Sequence, residues 1–348
     1  MNLDKKIFEK PRFSLCAIYK NEEKNLPTFI DRHIELMDEM ILVDTGSTDQ
    51  SNQIVKSYHI PYHFFQWTRN FSEARNYSLT LPTQDWVIVL DIDEHILKED
   101  FLRLKEIIAQ KQKDAYSLLQ INFSDQYQDI NWKSITTLPH EFHSLAQGYI
   151  PSPLIRVFRN HEGIRFHGAI HELVGDSIHS LHLSSTITNI PIYHYGWIID
   201  QRADEEKEKK KKEYRELIKQ EYQRDPSPKM AFYYLSTIEN PEEKIKIAFQ
   251  LTRTYPEIKQ FWEVMARSAV QLQQWTRAIS YADKGLSIHK EHTPLLAIKA
   301  HCLIEGGKPN ESIPILNSLL TRDPQHPIYI YELKRAQYIL NRLTENEK

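Results

Sequence analysis

Trp86-Val87-Ile88-Val89-Leu90-Asp91-Ile92-Asp93-Glu94 is an apolar run that ends abruptly in three carboxylates. Its first five residues are aromatic, β-branched or Leu, the composition of a short buried strand. Residues two apart on a strand share a face, but at a frayed strand end the second aspartate can turn outward. Such a pair holds a hard divalent cation through oxygen while the cation bridges two phosphates. A departing nucleoside diphosphate needs that chemistry, because a metal stabilises its developing charge without a proton. An isolated Asp-x-Asp is common; its position directly after a strand is what gives this one weight.

Upstream, the chain alternates strand-like and helix-like stretches. Residues 13–19 and 40–44 are apolar runs, and 62–65 is a shorter one. Helical stretches are expected from about Glu22, from about Gln50 and over residues 71–81. Alternation of this kind predicts an α/β domain with a mostly parallel sheet, in which ligands bind beyond the carboxyl ends of strands. Those ends carry Asn21-Glu22, Asp44 and Asp91-Ile92-Asp93. Each has a purely structural reading, since Asn and Asp also cap helices and close turns; together they describe a convergent polar site.

Downstream, residues 116–123, 154–158 and 187–195 predict further strands. A mixed-charge stretch from Arg202 to Glu213 has the pattern of a solvated helix. Beyond it the chain repeats at a step of 34: Ala248, Ala282 and Leu316; Leu251, Gly285 and Leu319; Phe232, Ala266 and Ala300; Leu235, Ala269 and Leu303. That is the tetratricopeptide period, in which each helix pair buries its inner face on the next. The expected organisation is a catalytic domain over 1–200, a charged linker helix over 201–225 and helical repeats over 226–348.

Composition narrows the function classes. A net charge of −3 over 348 residues offers no basic field for nucleic acid. With two cysteines, a disulfide framework is not expected and a reducing, cytoplasmic setting is. No apolar run approaches the roughly 20 residues of a membrane span, and no signal peptide is visible. Only nine glycines occur, and none forms a dinucleotide or Walker loop. His140-Glu141-Phe142-His143 has one residue too few between its histidines for the zinc-protease helix. His167 and His171 are spaced for a helical zinc pair, but the strand character of their stretch, with Gly168 inside it, argues against one.

Glu172 is a candidate general base, with His171 orienting it or contacting the substrate, and a structural hydrogen-bond network is the competing reading. His194, at an aromatic strand end, is the candidate partner of Asp93 on the metal, since imidazole suits Mn2+, with a histidine packed among tyrosines as the competing reading. Arg156, Arg159 and Arg165 are candidates for a diphosphate, with surface salt bridges as the competing reading.

The segments Ala17-Ile18-Tyr19-Lys20-Asn21-Glu22-Glu23, Val43-Asp44-Thr45-Gly46-Ser47-Thr48-Asp49, Asn70-Phe71-Ser72-Glu73-Ala74-Arg75-Asn76 and Leu90-Asp91-Ile92-Asp93-Glu94 occur in an order that resembles family-two glycosyltransferases. Arg165-Phe166-His167-Gly168-Ala169-Ile170-His171-Glu172 and Ile192-Tyr193-His194-Tyr195-Gly196 are similar to segments of bacterial members with helical-repeat tails, among them the sublancin-type bacteriocin peptide S- and O-glycosyltransferases. The resemblance implies a GT-A fold, inversion at the anomeric carbon, a UDP-sugar donor and Mg2+ or Mn2+. It implies Asn21 and Glu22 near the nucleotide, Asp44 at the base or ribose, Arg75 beside the donor, Asp91 near ribose or sugar, and Asp93 on the metal. The expected acceptor is a Cys or Ser/Thr side chain of a peptide, and the alternative is a lipopolysaccharide or cell-envelope glycan. The repeats are expected to position the acceptor and to mediate dimerisation. A non-catalytic scaffold is the reading of another class, against which the intact site residues speak.

Overall fold

The computed structural model describes residues 10–111, 113–125, 131–161, 163–196 and 204–346. The chain divides into two compact units, Met1–Asp204 and Glu205–Lys348.

The first unit is built on one sheet. Strands β1 (Phe13–Tyr19), β2 (Glu39–Asp44), β3 (His63–Phe64) and β4 (Trp86–Val89) are its parallel half, in the order β3-β2-β1-β4. Helices α1 (Leu26–His33), α2 (Ser51–Ser57) and α3 (Phe71–Ser78) make the crossovers that parallel neighbours require. The third is shorter than the 71–81 expected, since Leu79 already closes its last turn. Strand alternation sends side chains into two separate cores. Phe13, Leu15, Ala17, Trp86, Ile88 and Leu90 enter one, whereas Cys16, Val87 and Val89 enter the other. Burial on both faces explains why these strands read as unbroken apolar runs.

The rest of the sheet comprises β5 (Glu94–His95), β6 (Ala115–Ser124), β7 (Lys133–Ser134), β8 (Gly148–Arg159) and β9 (Ser185–His194), with helices α4 (Lys98–Lys111) and α5 (Gly175–Ser180) between them. Here the mostly parallel expectation gives way to a mixed sheet. Strand β8 lies antiparallel between β4 and β6, while β9 runs parallel to β6 and antiparallel to β5. Helix α4 carries Phe101, Leu104 and Ile108, an i, i+3, i+7 stripe that packs on the first core.

The second unit is all helix: α6 (Asp204–Arg224), α7 (Pro228–Thr237), α8 (Pro241–Thr254), α9 (Lys259–Gln271), α10 (Trp275–Ile288), α11 (Thr293–Glu305), α12 (Pro309–Arg322) and α13 (Pro327–Asn346). Helices α8, α10 and α12 begin at 241, 275 and 309, and α9, α11 and α13 at 259, 293 and 327. The 34-residue step is therefore structural. Ala248, Ala282, Leu316, Ala266, Ala300, Ala269 and Leu303 are buried as the repeat requires. Phe232 is the exception: it is exposed, and Ala231 takes the buried place on the short helix α7. Gly285 is small for a reason, since a Cβ there would lie 2.5 Å from Leu295 Cδ1 and 2.8 Å from Trp262 Cβ. Among the described residues no helix is long and apolar enough to cross a membrane.

Candidate active site

Because β1, β2 and β4 are parallel, the segments leaving their carboxyl ends gather at one end of the sheet. The turns after β1 and β2 are laced together there. Asn21, in the left-handed backbone region that Asn tolerates, accepts from Thr48 N at 2.7 Å and donates its own N–H to Ser47 Oγ at 2.9 Å. Glu22 N–H donates to Ser51 Oγ at 2.8 Å. Asp44 is buried and accepts four hydrogen bonds: Gly46 N and Ser47 N on Oδ1, and Asn52 Nδ2 and Tyr62 Oη on Oδ2. Burial pushes its carboxyl up, but the bonds from Ser47, Asn52 and Gly46 outweigh burial and hold it below the usual range.

The Asp-x-Asp segment is a turn rather than a strand end. Glu94 N–H donates to Asp91 O at 2.9 Å, which closes the turn and sends the two aspartates apart. Asp91 faces two guanidiniums: Arg75 Nη2 reaches Oδ1 at 2.5 Å and Arg156 Nη2 reaches Oδ2 at 3.0 Å. The same Arg75 donates Nε–H to Glu172 Oε1 at 2.5 Å, and the same Arg156 donates to Glu94 Oε1 at 2.7 Å. Gln120 also donates to Glu94 Oε1. Burial pushes the Glu94 carboxyl up, and the nearby Asp91 adds to that. Burial would raise Asp91 too, but Arg75 and Arg156 hold it well below the usual carboxylate range.

Arg156 is therefore neither a surface ion pair nor a free phosphate ligand. Strand β8 runs back along β4, with Val157 opposite Ile88, and so delivers Arg156 to the carboxylate end. Arg159, at the other end of that pairing, sits at the surface against Asp114 and over the Trp86 ring. Arg165 Nη1 donates to the neighbouring Ile164 O. Neither joins the cluster of Asp91, Arg75, Arg156, Glu94 and Glu172.

Residues 167–173 form a loop, not the strand expected, pinched by reciprocal hydrogen bonds between His167 and Leu173. Gly168 and His171 both have positive φ, which the turn requires. No helix is present there to align His167 with His171, which removes the zinc-pair reading on different grounds from those expected. The loop docks on α3: Phe71 N–H donates to Ala169 O, Ser72 Oγ–H to Gly168 O, and Asn76 exchanges two bonds with Phe166. This docking carries Glu172 onto Arg75. His140–Phe142 is a single 3-10 turn, and His143 bonds Leu138 O.

Asp93 turns the other way, toward β9. Its Oδ2 lies 3.5 Å from His194 Nε2, and Tyr195 N–H donates to Asp93 O at 2.9 Å. His194 Nδ1 meets Asn122 Oδ1 at 2.7 Å. Burial lowers the His194 ring, but the Asp93 carboxylate outweighs it and leaves the ring raised. Beside the pair, a Cβ on Gly196 would fall 2.2 Å from Asp93 Oδ2 and 2.8 Å from His194 Nε2. The absent side chain leaves a notch that faces one carboxylate oxygen and one imidazole nitrogen. Among the described residues no three His, Cys, Asp or Glu side chains converge for a metal. Two protein ligands suit Mg2+ or Mn2+ where phosphate oxygens and water complete the shell. The pair fits such an ion.

Gly196→Ala is expected to fill the notch and to weaken Mn2+ binding at least ~10-fold. Isothermal titration with Mn2+ and UDP checks this, and unchanged affinity would remove the notch from the metal site.

Gln120 and Asn122 escaped the sequence reading. Their signal was present: two amides two residues apart in Leu118-Leu119-Gln120-Ile121-Asn122-Phe123, hence on one face of an otherwise apolar strand.

Residues 14–172 match the family Glycosyl transferase family 2. The match covers less than half of the chain and makes this segment similar to that family. Over 191 residues the chain is 31% identical to a TPR repeat-containing protein of Synechococcus elongatus, covering 53% of this chain and 42% of that one. It is 23% identical over 191 residues to the SPbeta prophage-derived glycosyltransferase SunS of Bacillus subtilis, covering 54% of this chain and 40% of SunS. The matches thus span less than half the length of these relatives. A solved structure of glucosyl-3-phosphoglycerate synthase from Mycobacterium tuberculosis, in complex with Mn2+ and UDP-glucose, is alike at 16% identity and a TM-score of 0.39, over 57% of this chain and 74% of that one. The matched segment lies within the α/β unit, and the all-helical unit follows it in sequence.

Proposed function

We propose that the chain is a metal-dependent inverting glycosyltransferase that moves a hexose, with glucose the leading choice, from a UDP-sugar to a Cys or Ser/Thr side chain of a peptide. The observation that carries this reading is the division of one acidic turn: Asp91 is held by Arg75 and Arg156, and Asp93 faces His194 across a side-chain-free notch. In this reading Asp93 and His194 hold Mg2+ or Mn2+, which when bound neutralises charge on the departing diphosphate. Asn21, Glu22 and Asp44 form the wall on the nucleotide side, where bonds of Asn21 with Thr48, Glu22 with Ser51 and Asp44 with Ser47 hold the two turns.

Arg75 sets both sides of the transfer. It orients Asp91 toward the donor and holds Glu172 by Oε1, leaving Oε2 for the acceptor. Glu172 Oε2 takes the acceptor proton as the acceptor sulfur or oxygen bonds to the anomeric carbon, and the bond from that carbon to the diphosphate oxygen breaks. His171, next to it on the same tight loop, contacts the sugar or acceptor. The peptide reading is supported by the repeats, whose stacked helices offer extended surfaces. Glu205–Lys348 would then position the acceptor and mediate self-association.

Incubation with a panel of nucleotide sugars, Mn2+ and candidate peptides, read by mass spectrometry, is expected to show hexose addition with UDP-glucose. Transfer only to a glycan acceptor would replace the peptide reading. Absence of any metal-dependent thermal shift with every nucleotide sugar would favour a scaffold. A chain ending at Asp204 is expected to lose at least ~10-fold more acceptor transfer than donor hydrolysis. Equal loss of both would count against a recognition role. The cut falls there because α6 belongs to the second unit, with Tyr222 packed on its core.

A further inference from the structure

We propose that Asn122 is a positioning residue that fixes the His194 ring as its Nδ1–H form and thereby presents the Nε2 lone pair to the notch at Gly196. This rests on the reading of Asp93 and His194 as a metal pair.

Strand pairing sets the neighbours. Asn122 on β6 is in register with His194 on β9, which is in register with Glu94 on β5. Register partners place their side chains on the same face, so Asn122 reaches His194 without a bend in either strand. The direction of the amide is fixed independently. Its Nδ2 donates to Ile150 O on β8 at 3.2 Å, which turns Oδ1 toward His194 Nδ1 at 2.7 Å. An amide oxygen only accepts, so Nδ1 carries the proton. A neutral imidazole has one N–H, and Nε2 is then bare.

In that neutral form Nε2 and Asp93 Oδ2, 3.5 Å apart, are two electron-rich atoms facing each other. A cation between them converts that opposition into coordination. Gly196 keeps the space open, as its missing Cβ would contact both atoms. The reversed amide would place an N–H against Nδ1, force the proton onto Nε2 and close the notch. Asn122 therefore decides which ring nitrogen is a ligand, the role that outer partners of metal-bound histidines have generally.

Two measurements on the full chain test this. In metal-free protein labelled with 15N-histidine at alkaline pH, the His194 signals, assigned by their loss in His194→Gln, are expected to show a protonated Nδ1 and a bare Nε2. A protonated Nε2 overturns the proposal. In titrations of Mn2+ in the presence of UDP, Asn122→Leu is expected to bind roughly 10–100-fold more weakly, while Asn122→Asp, which keeps an acceptor for Nδ1–H, stays within about 3-fold of the parent. Asn122→Leu binding as tightly as the parent, in a background where Asp93→Ala abolishes binding, overturns the positioning role. Undiminished binding in Asp93→Ala overturns the metal pair instead, and the ring protonation still judges Asn122 separately. Should Asn122→Leu fail to fold, the parent spectrum and Asn122→Asp still decide: a bare Nδ1 or a loss beyond about 10-fold in Asn122→Asp counts against.

Discussion

Arg75→Ala is expected to destabilise the first unit by about 3–5 kcal/mol and to abolish transfer. Arg75 is buried on α3 and bonds two carboxylates from distant segments, Asp91 and Glu172, each at 2.5 Å. Deleting it leaves two anions short of a cation in a site where three carboxylates already face two guanidiniums. Asp91 retains Arg156, but Glu172 loses its ion pair. The guanidinium also lies over the Phe166 ring at 5.5 Å, so a methyl group there leaves a void as well as a charge. Urea denaturation measures the loss. A change below about 1 kcal/mol would mean that the pairs are no stronger than surface ion pairs, and the cluster would lose its structural role.

Asp93→Ala is expected to do the opposite: little to stability and almost everything to turnover. The Asp93 side chain is 35% exposed, and its carboxylate faces the His194 ring at 3.5 Å. Its removal is expected to change stability by less than about 1 kcal/mol. A metal that stabilises several kcal/mol of transition-state charge is worth ~10^3-fold or more in rate, and losing its carboxylate ligand forfeits that. The measurements are metal-dependent hydrolysis of UDP-glucose and the Mn2+-dependent thermal shift, both of which should vanish while the metal-free melt stays in place. Full activity in this variant would sink the site assignment. Together the two variants separate a turn whose first aspartate is built into the fold from one whose second aspartate serves the ligand.

The parallel half of the sheet was legible because strands buried on both faces must be nearly continuously apolar, and residues 15–19 and 86–89 are. The repeats were legible because stacked helix pairs need a small or apolar residue at the same place in every 34-residue step. Asp91-Ile92-Asp93 stood out for the same local reason, carboxylates set directly behind a buried strand. Those features are properties of neighbouring residues, and the sequence by itself determined them.

What each site residue touches was decided only by the tertiary structure. Arg75 meets Glu172 across 97 positions, Arg156 meets Asp91 across 65, and Asn122 meets His194 across 72. These meetings depend on β8 running antiparallel into the sheet, on the register of β6 with β9, and on a pinched loop docking onto α3. No local pattern encodes the direction of β8 or the register of β6 with β9, because both are set by which faces can be buried together once the chain is folded.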